Sequence, residues 1–176
     1  LEFRRVLFRS IDYASYVYRF DLDIKPYLEK IYDTMLNSIQ RGLESEGTLH
    51  GDLHVIRKAK SLYNTHKKES DELQRKRRLI AYAYAVAEEN ASGGEIVTAP
   101  TCGASGIIPS CLRTMLEDGI SKDKLIDGLA VAGLFGNLIK FNASISGAEA
   151  GCQAEVGSAC SMASAMIAHV YGLSLD

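Results

Sequence analysis

Glycine divides this chain into two unlike halves: 12 of its 15 glycines lie from Gly93 onward, together with all four cysteines. The first half collects Glu, Lys, Arg and Tyr instead. A glycine inside a helix costs roughly 1 kcal/mol relative to alanine, so a glycine-rich half must recover that cost through close backbone packing or through loops that approach something tightly. The run Gly128 to Ile139 (GLAVAGLFGNLI) holds Gly128, Gly133 and Gly136 within one apolar stretch. It is shorter than the roughly 20 residues that span a bilayer and is flanked by Asp127 and Lys140, so it reads as a buried helix.

Helical spacing dominates the rest. Asp23 can cap a helix that has Pro26 in its first turn, and Leu28, Ile31, Met35, Ile39 and Leu43 recur every three or four residues until Gly47. Leu53, Ile56, Ala59, Leu62 and Tyr63 predict a second helix over 53–63, although its LHVI start also suits extended backbone. Ser70 and Asp71 open a third, running to about Asn90, with Leu73, Ile80, Ala83, Tyr84 and Ala87 as the inward side. The run Arg75-Lys76-Arg77-Arg78 on this helix spreads around its circumference, which favours a solvated face over a phosphate site.

Glu95 to Pro100 is predicted to be extended, because Ile96, Val97 and Thr98 are β-branched and Pro100 biases Ala99 away from helix. Pro109 sits best in the first turn of a helix that Gly119 ends. Ser121 then caps a helix through Lys140 that closes near Asn142, and a last helix, rich in Ala, Ser, Gly and Met, runs from about Cys152 to Tyr171 with Gly172 beyond it. Strand content is minimal, so the fold class is all-α: a compact helical domain with two Gly/Ser/Thr-rich loops.

The 176 residues suffice for one core. With 20 Lys+Arg against 22 Asp+Glu and only three prolines, neither a nucleic-acid binder nor a disordered chain is expected, and no membrane partner is called for. Cys102, Cys111, Cys152 and Cys160 form no CxxC pair and read as free thiols or cluster ligands in a reducing cytoplasm. Leu1 to Ser10 (LEFRRVLFRS) joins the rest abruptly and resembles a translated sequencing adapter, so fold reasoning starts at Ile11. Setting aside Glu2, Arg4, Arg5 and Arg9 leaves 17 basic and 21 acidic side chains. The close at Leu173-Ser174-Leu175-Asp176, directly after a helix, is read as a truncation, with 11–176 a partial catalytic domain.

Two segments are hard to explain as packing alone: TAPTCGASG (98–106) and NASISGAEAGCQ (142–153). Each is a hydroxyl- and glycine-rich loop that empties into a helix, where unpaired backbone N–H groups and the positive dipole end suit a carboxylate, a phosphate or an anionic cluster. Two such loops in one small domain suggest one shared pocket, although Ser, Thr and Gly are also ordinary turn and cap formers. Cys152 stands at a helix N-terminus, which favours thiolate, whereas Cys111 and Cys160 are expected to be buried apolar thiols. Glu149 and Glu155 lie where acids favour the helix dipole, which leaves capping and general-base roles both open. None of His50, His54, His66 and His169 lies in either loop, so no base is assigned.

TAPTCGASGIIP followed by FNASISGAEAGCQAEVGSACSMA closely resembles the catalytic domain, the alpha chain or alpha region, of the bacterial iron–sulfur-dependent L-serine dehydratases. The upstream part, Leu53-His54-Val55 through Ala87-Glu88-Glu89-Asn90-Ala91, is similar to this family as well. The resemblance implies a [4Fe–4S] cluster held by three cysteines. One ligand lies in the G-C-Q segment, here Gly151-Cys152-Gln153, and two in a later T-C-D-P…P-C segment beyond residue 176. It further implies a regulatory domain or beta chain outside this sequence, a homo-oligomer or an alpha/beta heteromer, and an inactive 176-residue chain when isolated. The implied reaction converts L-serine to pyruvate and ammonia, with an open iron site as Lewis acid. Thr98, Thr101, Ser144 and Ser146 are candidates to line the pocket and hold the substrate carboxylate, by residue type and placement.

Three other readings compete. A related cluster enzyme would release sulfide from L-cysteine. A pyridoxal-phosphate dehydratase would need a Schiff-base lysine, for which Lys140 is the one in apolar company, but the alternating strand–helix pattern of that class is missing. Lys140→Ala abolishes activity in that case and spares it in a cluster enzyme. A non-enzymatic helical module using Arg75 to Arg78 would bind nucleic acid with strong salt dependence.

Overall fold

The computed structural model describes residues 11–65 and 68–173; the readings of the first ten residues, of His66 and of the last three residues concern positions outside them. Eight helices follow one another among the described residues: α1 (Tyr13–Phe20), α2 (Ile24–Glu44), α3 (Ala59–Tyr63), α4 (Asp71–Ala91), α5 (Ile107–Glu117), α6 (Lys122–Asn142), α7 (Gly147–Ala150) and α8 (Cys152–Val170). The one β pairing among these residues is an isolated antiparallel bridge between Thr48 and Ile56. The fold is all-α, as expected.

Local chemistry sets the helix starts. Asp12 caps α1, its Oδ1 accepting the Ser15 N–H at 2.8 Å. The Tyr18 hydroxyl then donates to Asp127 Oδ1 at 2.6 Å and ties α1 to α6; burial and that carboxylate push the phenol well above its ordinary value. Asp23 takes the N-cap position of α2 without a side-chain capping bond, so Pro26 is the firmer start signal. The helix stops at Glu44, before Gly47.

Two expectations fail in this half. Only Ala59–Tyr63 of the predicted 53–63 helix is helical. Gly51 at φ +119° and His54 at φ +46° turn the chain back, so that the Leu49 N–H donates to Val55 O at 2.8 Å and the Arg57 N–H to Gly47 O at 2.9 Å, while Leu53 and Ile56 are left exposed. The spacing of 53–63 carries no helix over 53–58, where a turn and the isolated Thr48–Ile56 bridge stand instead.

The inward face of α4 is also different. Ser70 Oγ caps it through the Leu73 N–H, but the buried side is Ala81, Tyr82, Ala85, Val86, Glu88 and Glu89, whereas Leu73, Ile80 and Tyr84 are exposed. Small residues decide the contact: a Cβ on Gly42 of α2 would sit 2.3 Å from Ala85 O, so α2 and α4 cross backbone to backbone. The basic run is tied to protein partners. Arg75 pairs with Asp118, holding that carboxyl below its usual range; Lys76 pairs with Glu72; Arg77 binds Glu69 and the Leu62 and Tyr63 carbonyls; and Arg78 lies over the Tyr63 ring at 5.6 Å. Arg77 and Arg78 are half-buried rather than solvated.

The main core joins Met35 of α2, Leu112 of α5, Leu125 and Leu129 of α6, and Met166 of α8. α6 packs most extensively against α8. A Cβ at Gly128 would meet Val170 Cγ2 at 2.8 Å, and one at Gly136 would meet Met162 at 2.9 Å, which explains two of the three helical glycines as close contacts. Gly133 has no neighbour within 4 Å of that position, so packing does not explain it. By length and composition α6 is also long and apolar enough to cross a membrane. Here its buried Leu125, Ile126, Leu129, Ala130 and Val131 fill the protein core.

Candidate functional site

The first loop hangs from the C-terminal end of α4. Asn90 Nδ2 donates to Cys102 O at 3.3 Å, and the Ser105 N–H and Oγ donate to the same carbonyl at 3.3 and 2.7 Å. The Ala99–Pro100 peptide bond is cis, and residues 95–98 are non-helical with no strand partner. Where the loop enters α5, a Cβ on Gly106 would lie 2.7 Å from Ala83 O. Glycine is therefore required for α5 to start against α4.

The second loop leaves α6 at Ala143 and forms the short α7. Ser144 Oγ donates to the Glu149 carboxylate and accepts the Ser146 N–H at 3.1 Å. Gly151, at φ +76°, then swings the chain into α8, an orientation that L side chains rarely adopt. Cys152 is the first residue of α8 and its thiol is exposed.

The two loops meet at Glu155. Its Oε1 accepts the Gly147 N–H of the second loop at 3.3 Å, and its Oε2 occupies the space in which a Cβ on Gly103 of the first loop would sit, at 2.8 Å. Cys152 lies three positions earlier, on the same side of the first helical turn. One end of α8 thus gathers Cys152, Glu155 and a glycine from each loop.

Of the candidate pocket residues, Thr98 is exposed, and Ser144 and Ser146 are half-buried and bonded within their own loop. Thr101 Oγ1 is buried without a hydrogen-bond partner among the described residues. Cys111 is half-buried and burial pushes its thiol up, in line with an inert core thiol, but Cys160 is exposed, contrary to expectation. His50 and His54 are exposed in the 47–56 turn, and His169 lies 17 residues beyond Cys152 on α8, about 25 Å along the axis.

The serine dehydratase alpha chain model matches residues 14–176. The chain belongs to this family. It is 46% identical over 156 residues to an L-serine dehydratase of Haemophilus influenzae, covering 85% of this chain and 34% of that protein. An L-serine dehydratase of Streptomyces coelicolor is 46% identical over 153 residues, with the same coverage, and L-serine dehydratase 2 of Escherichia coli is 42% identical over 158 residues, covering 86% of this chain and 35% of that protein. The chain spans about a third of the length of the curated relatives it matches.

For a serine dehydratase alpha chain, a metal-cluster fit can be tested on the donors present. No group of three or more His, Cys, Asp or Glu among the described residues could hold a metal ion. Cys152 suits one corner of such a cluster: its thiol is exposed and stands at the positive end of a 19-residue helix. The described residues do not gather a full donor set for such a cluster.

Sequence reasoning missed the support beneath the first loop. Glu88 and Glu89 are buried at the C-terminal end of α4. Glu88 Oε1 accepts the Lys58 and Ala59 N–H groups at 2.6 and 3.2 Å; Glu89 accepts from Arg41 Nε at 3.1 Å and faces Arg57 Nη1 at 3.7 Å. Arg41 also donates to Glu95 O, just ahead of the loop. A signal was available: two consecutive acids in the last turn oppose the helix dipole and must be offset by cations or backbone donors. A groove of about 800 Å³ lies elsewhere, between Tyr13, Phe135, Ile139, Ala165, His169 and Leu173, and holds none of the candidate site residues.

Proposed function

We propose that this chain is the part of an L-serine dehydratase that carries the two substrate-facing loops and one cluster ligand, in an enzyme that converts L-serine to pyruvate and ammonia. The observation that supports this most is the family match over residues 14–176, joined to relatives that bear that name. The second is physical: two hydroxyl- and glycine-rich loops converge beside Cys152.

Cys152, the exposed first residue of α8, is the cluster ligand of this chain. A [4Fe–4S] cluster, when bound, supplies a Lewis-acidic iron toward the substrate. Around it the chain's residues bind and orient. Thr101 Oγ1, buried and unpartnered, is satisfied by a polar atom of an arriving ligand. Thr98, Ser144, Ser146 and the loop N–H groups hold the carboxylate, so that the α-proton and the hydroxyl are presented for elimination. Loss of water gives aminoacrylate, which tautomerises and hydrolyses to the products. The two other cysteine ligands and a regulatory part belong to the length that the relatives have and this chain does not span, in the same polypeptide or a partner chain. The complete enzyme is a homo-oligomer or an alpha/beta heteromer and works in the cytoplasm.

The test is anaerobic reconstitution of the complete protein. Cys152→Ala is expected to lower iron and sulfide content, remove the cluster's visible absorption and reduce serine turnover to background. Unchanged absorption and turnover in that variant would sink the assignment. Pyruvate release from L-serine against L-cysteine, measured on the same preparation, is expected to favour serine; a preference for cysteine with release of sulfide would make the enzyme a desulfidase.

A further inference from the structure

Glu155 does something that its place in the first turn of α8 does not require. An acid there gains from the helix dipole while its carboxylate stays in water, but this side chain is half-buried and bonds away from its own helix. Its Oε1 accepts the N–H of Gly147, eight positions back and across the α7 loop, at 3.3 Å. A Cβ at Gly147 would come within 2.9 Å of Oε1, and one at Gly103 within 2.8 Å of Oε2. Neither glycine has a positive φ, so backbone conformation does not demand glycine at these two positions. What does is the carboxylate, seated where both side chains would begin.

We propose that Glu155 is a positioning residue that clasps the 98–106 and 142–151 loops together, and that positions 103 and 147 are glycine so that its carboxylate can lie between them. The clasp fixes the spacing of Thr98 and Thr101 against Ser144 and Ser146. Its length is specific: Glu reaches both loops from α8, and Asp, one methylene shorter, withdraws from Gly103 and leaves there the room that a methyl group fills. Because the displaced atoms are the free end of a flexible side chain, Gly103→Ala opens the clasp without disturbing the backbone. The consequence for turnover rests on the serine dehydratase reading; the clasp itself does not.

Amide hydrogen exchange on the complete protein reads the clasp directly. Glu155→Ala is expected to speed exchange in the second loop by about tenfold, the scale of a lost charge-assisted bond, and to speed it in the first loop through the lost contact at Gly103, while α6 and the rest of α8 keep their protection. Glu155→Gln retains an acceptor for the Gly147 N–H and is expected to stay near wild type in exchange. Gly103→Ala is expected to loosen both loops as Glu155→Ala does, and Gly103→Ala combined with Glu155→Asp to recover protection. Faster exchange in the second loop alone, or no rescue by the shorter acid, overturns the proposal. In serine assays Glu155→Ala is expected to lower kcat/KM by about 100-fold, the order expected when reacting groups are misplaced by an ångström, with cluster absorption unchanged. Loosened loops with unchanged kcat/KM would overturn the positioning role. A wild-type protein that does not turn over serine would defeat the functional reading instead, and leave exchange to decide the clasp.

Discussion

Gly42→Ala is expected to lower the unfolding midpoint by roughly 4–8 °C, although alanine is the better helix former. A Cβ at this position of α2 would stand 2.3 Å from Ala85 O, 2.6 Å from Ala85 C and 2.7 Å from Ala85 Cα. All three are backbone atoms, so no rotamer change relieves the clash, and the two 21-residue helices must separate. Separation also pulls Ile39 away from Tyr82 and Val86, which form one buried cluster across the same crossing. Overpacking of this kind costs about 3 kcal/mol, against about 1 kcal/mol gained in helix propensity, for a net loss of roughly 2 kcal/mol. Gly133→Ala is the control. It lies within α6 with nothing inside 4 Å of the new methyl, so propensity alone acts and stability is expected to rise by about 1 kcal/mol. Thermal unfolding of the two variants should therefore move in opposite directions; a rise for Gly42→Ala would show that the α2–α4 crossing is looser than described.

These two glycines also show what the sequence conveyed and what it withheld. Helix positions were legible because capping residues, Pro26, Pro109 and the apolar spacing are local signals, and α2, α4, α5, α6 and α8 all follow from them. Which face of α4 is inward was not legible. Leu73, Ile80 and Tyr84 are the larger apolar residues, yet the buried stripe is built on Ala81 and Ala85, which let α2 approach, and on acids whose partners lie 29 or more positions away. The false helix over 53–58 has a related cause: Gly51 and His54 take positive φ angles, and a turn overrides an amphipathic count. At the candidate site, the composition of the two loops pointed to a common location, and Cys152 to the helix end beside it. The convergence on Glu155 was not legible, since a first-turn acid has a sufficient local explanation and only the fold reveals that it reaches Gly103 and Gly147.

The largest loss of stability is expected from Glu89→Ala. The Glu89 side chain is 8% exposed and lies between Arg41 and Arg57, the latter 11% exposed. Removing the carboxylate leaves the Arg57 guanidinium buried with Ser92 Oγ as a neutral acceptor at 2.6 Å, and a buried charge stripped of its counter-charge costs about 3–5 kcal/mol. The damage extends toward the first loop. Glu89 Oε2 lies where a Cβ on Gly94 would come within 2.6 Å, and Arg41, which Glu89 holds, also binds Glu95 O, so the chain leading into Thr98 loses its anchor. Glu89→Gln keeps the volume and one acceptor oxygen but not the charge, and falls between Glu89→Ala and wild type. Glu72→Ala removes an acid of the same helix whose partner, Lys76, is exposed, and is expected to stay within about 1 kcal/mol of wild type. Urea unfolding of the three variants checks the order. If Glu89→Ala proves as mild as Glu72→Ala, Glu89 does not anchor the first loop, and Asn90 is what ties it to the end of α4, through the Cys102 carbonyl.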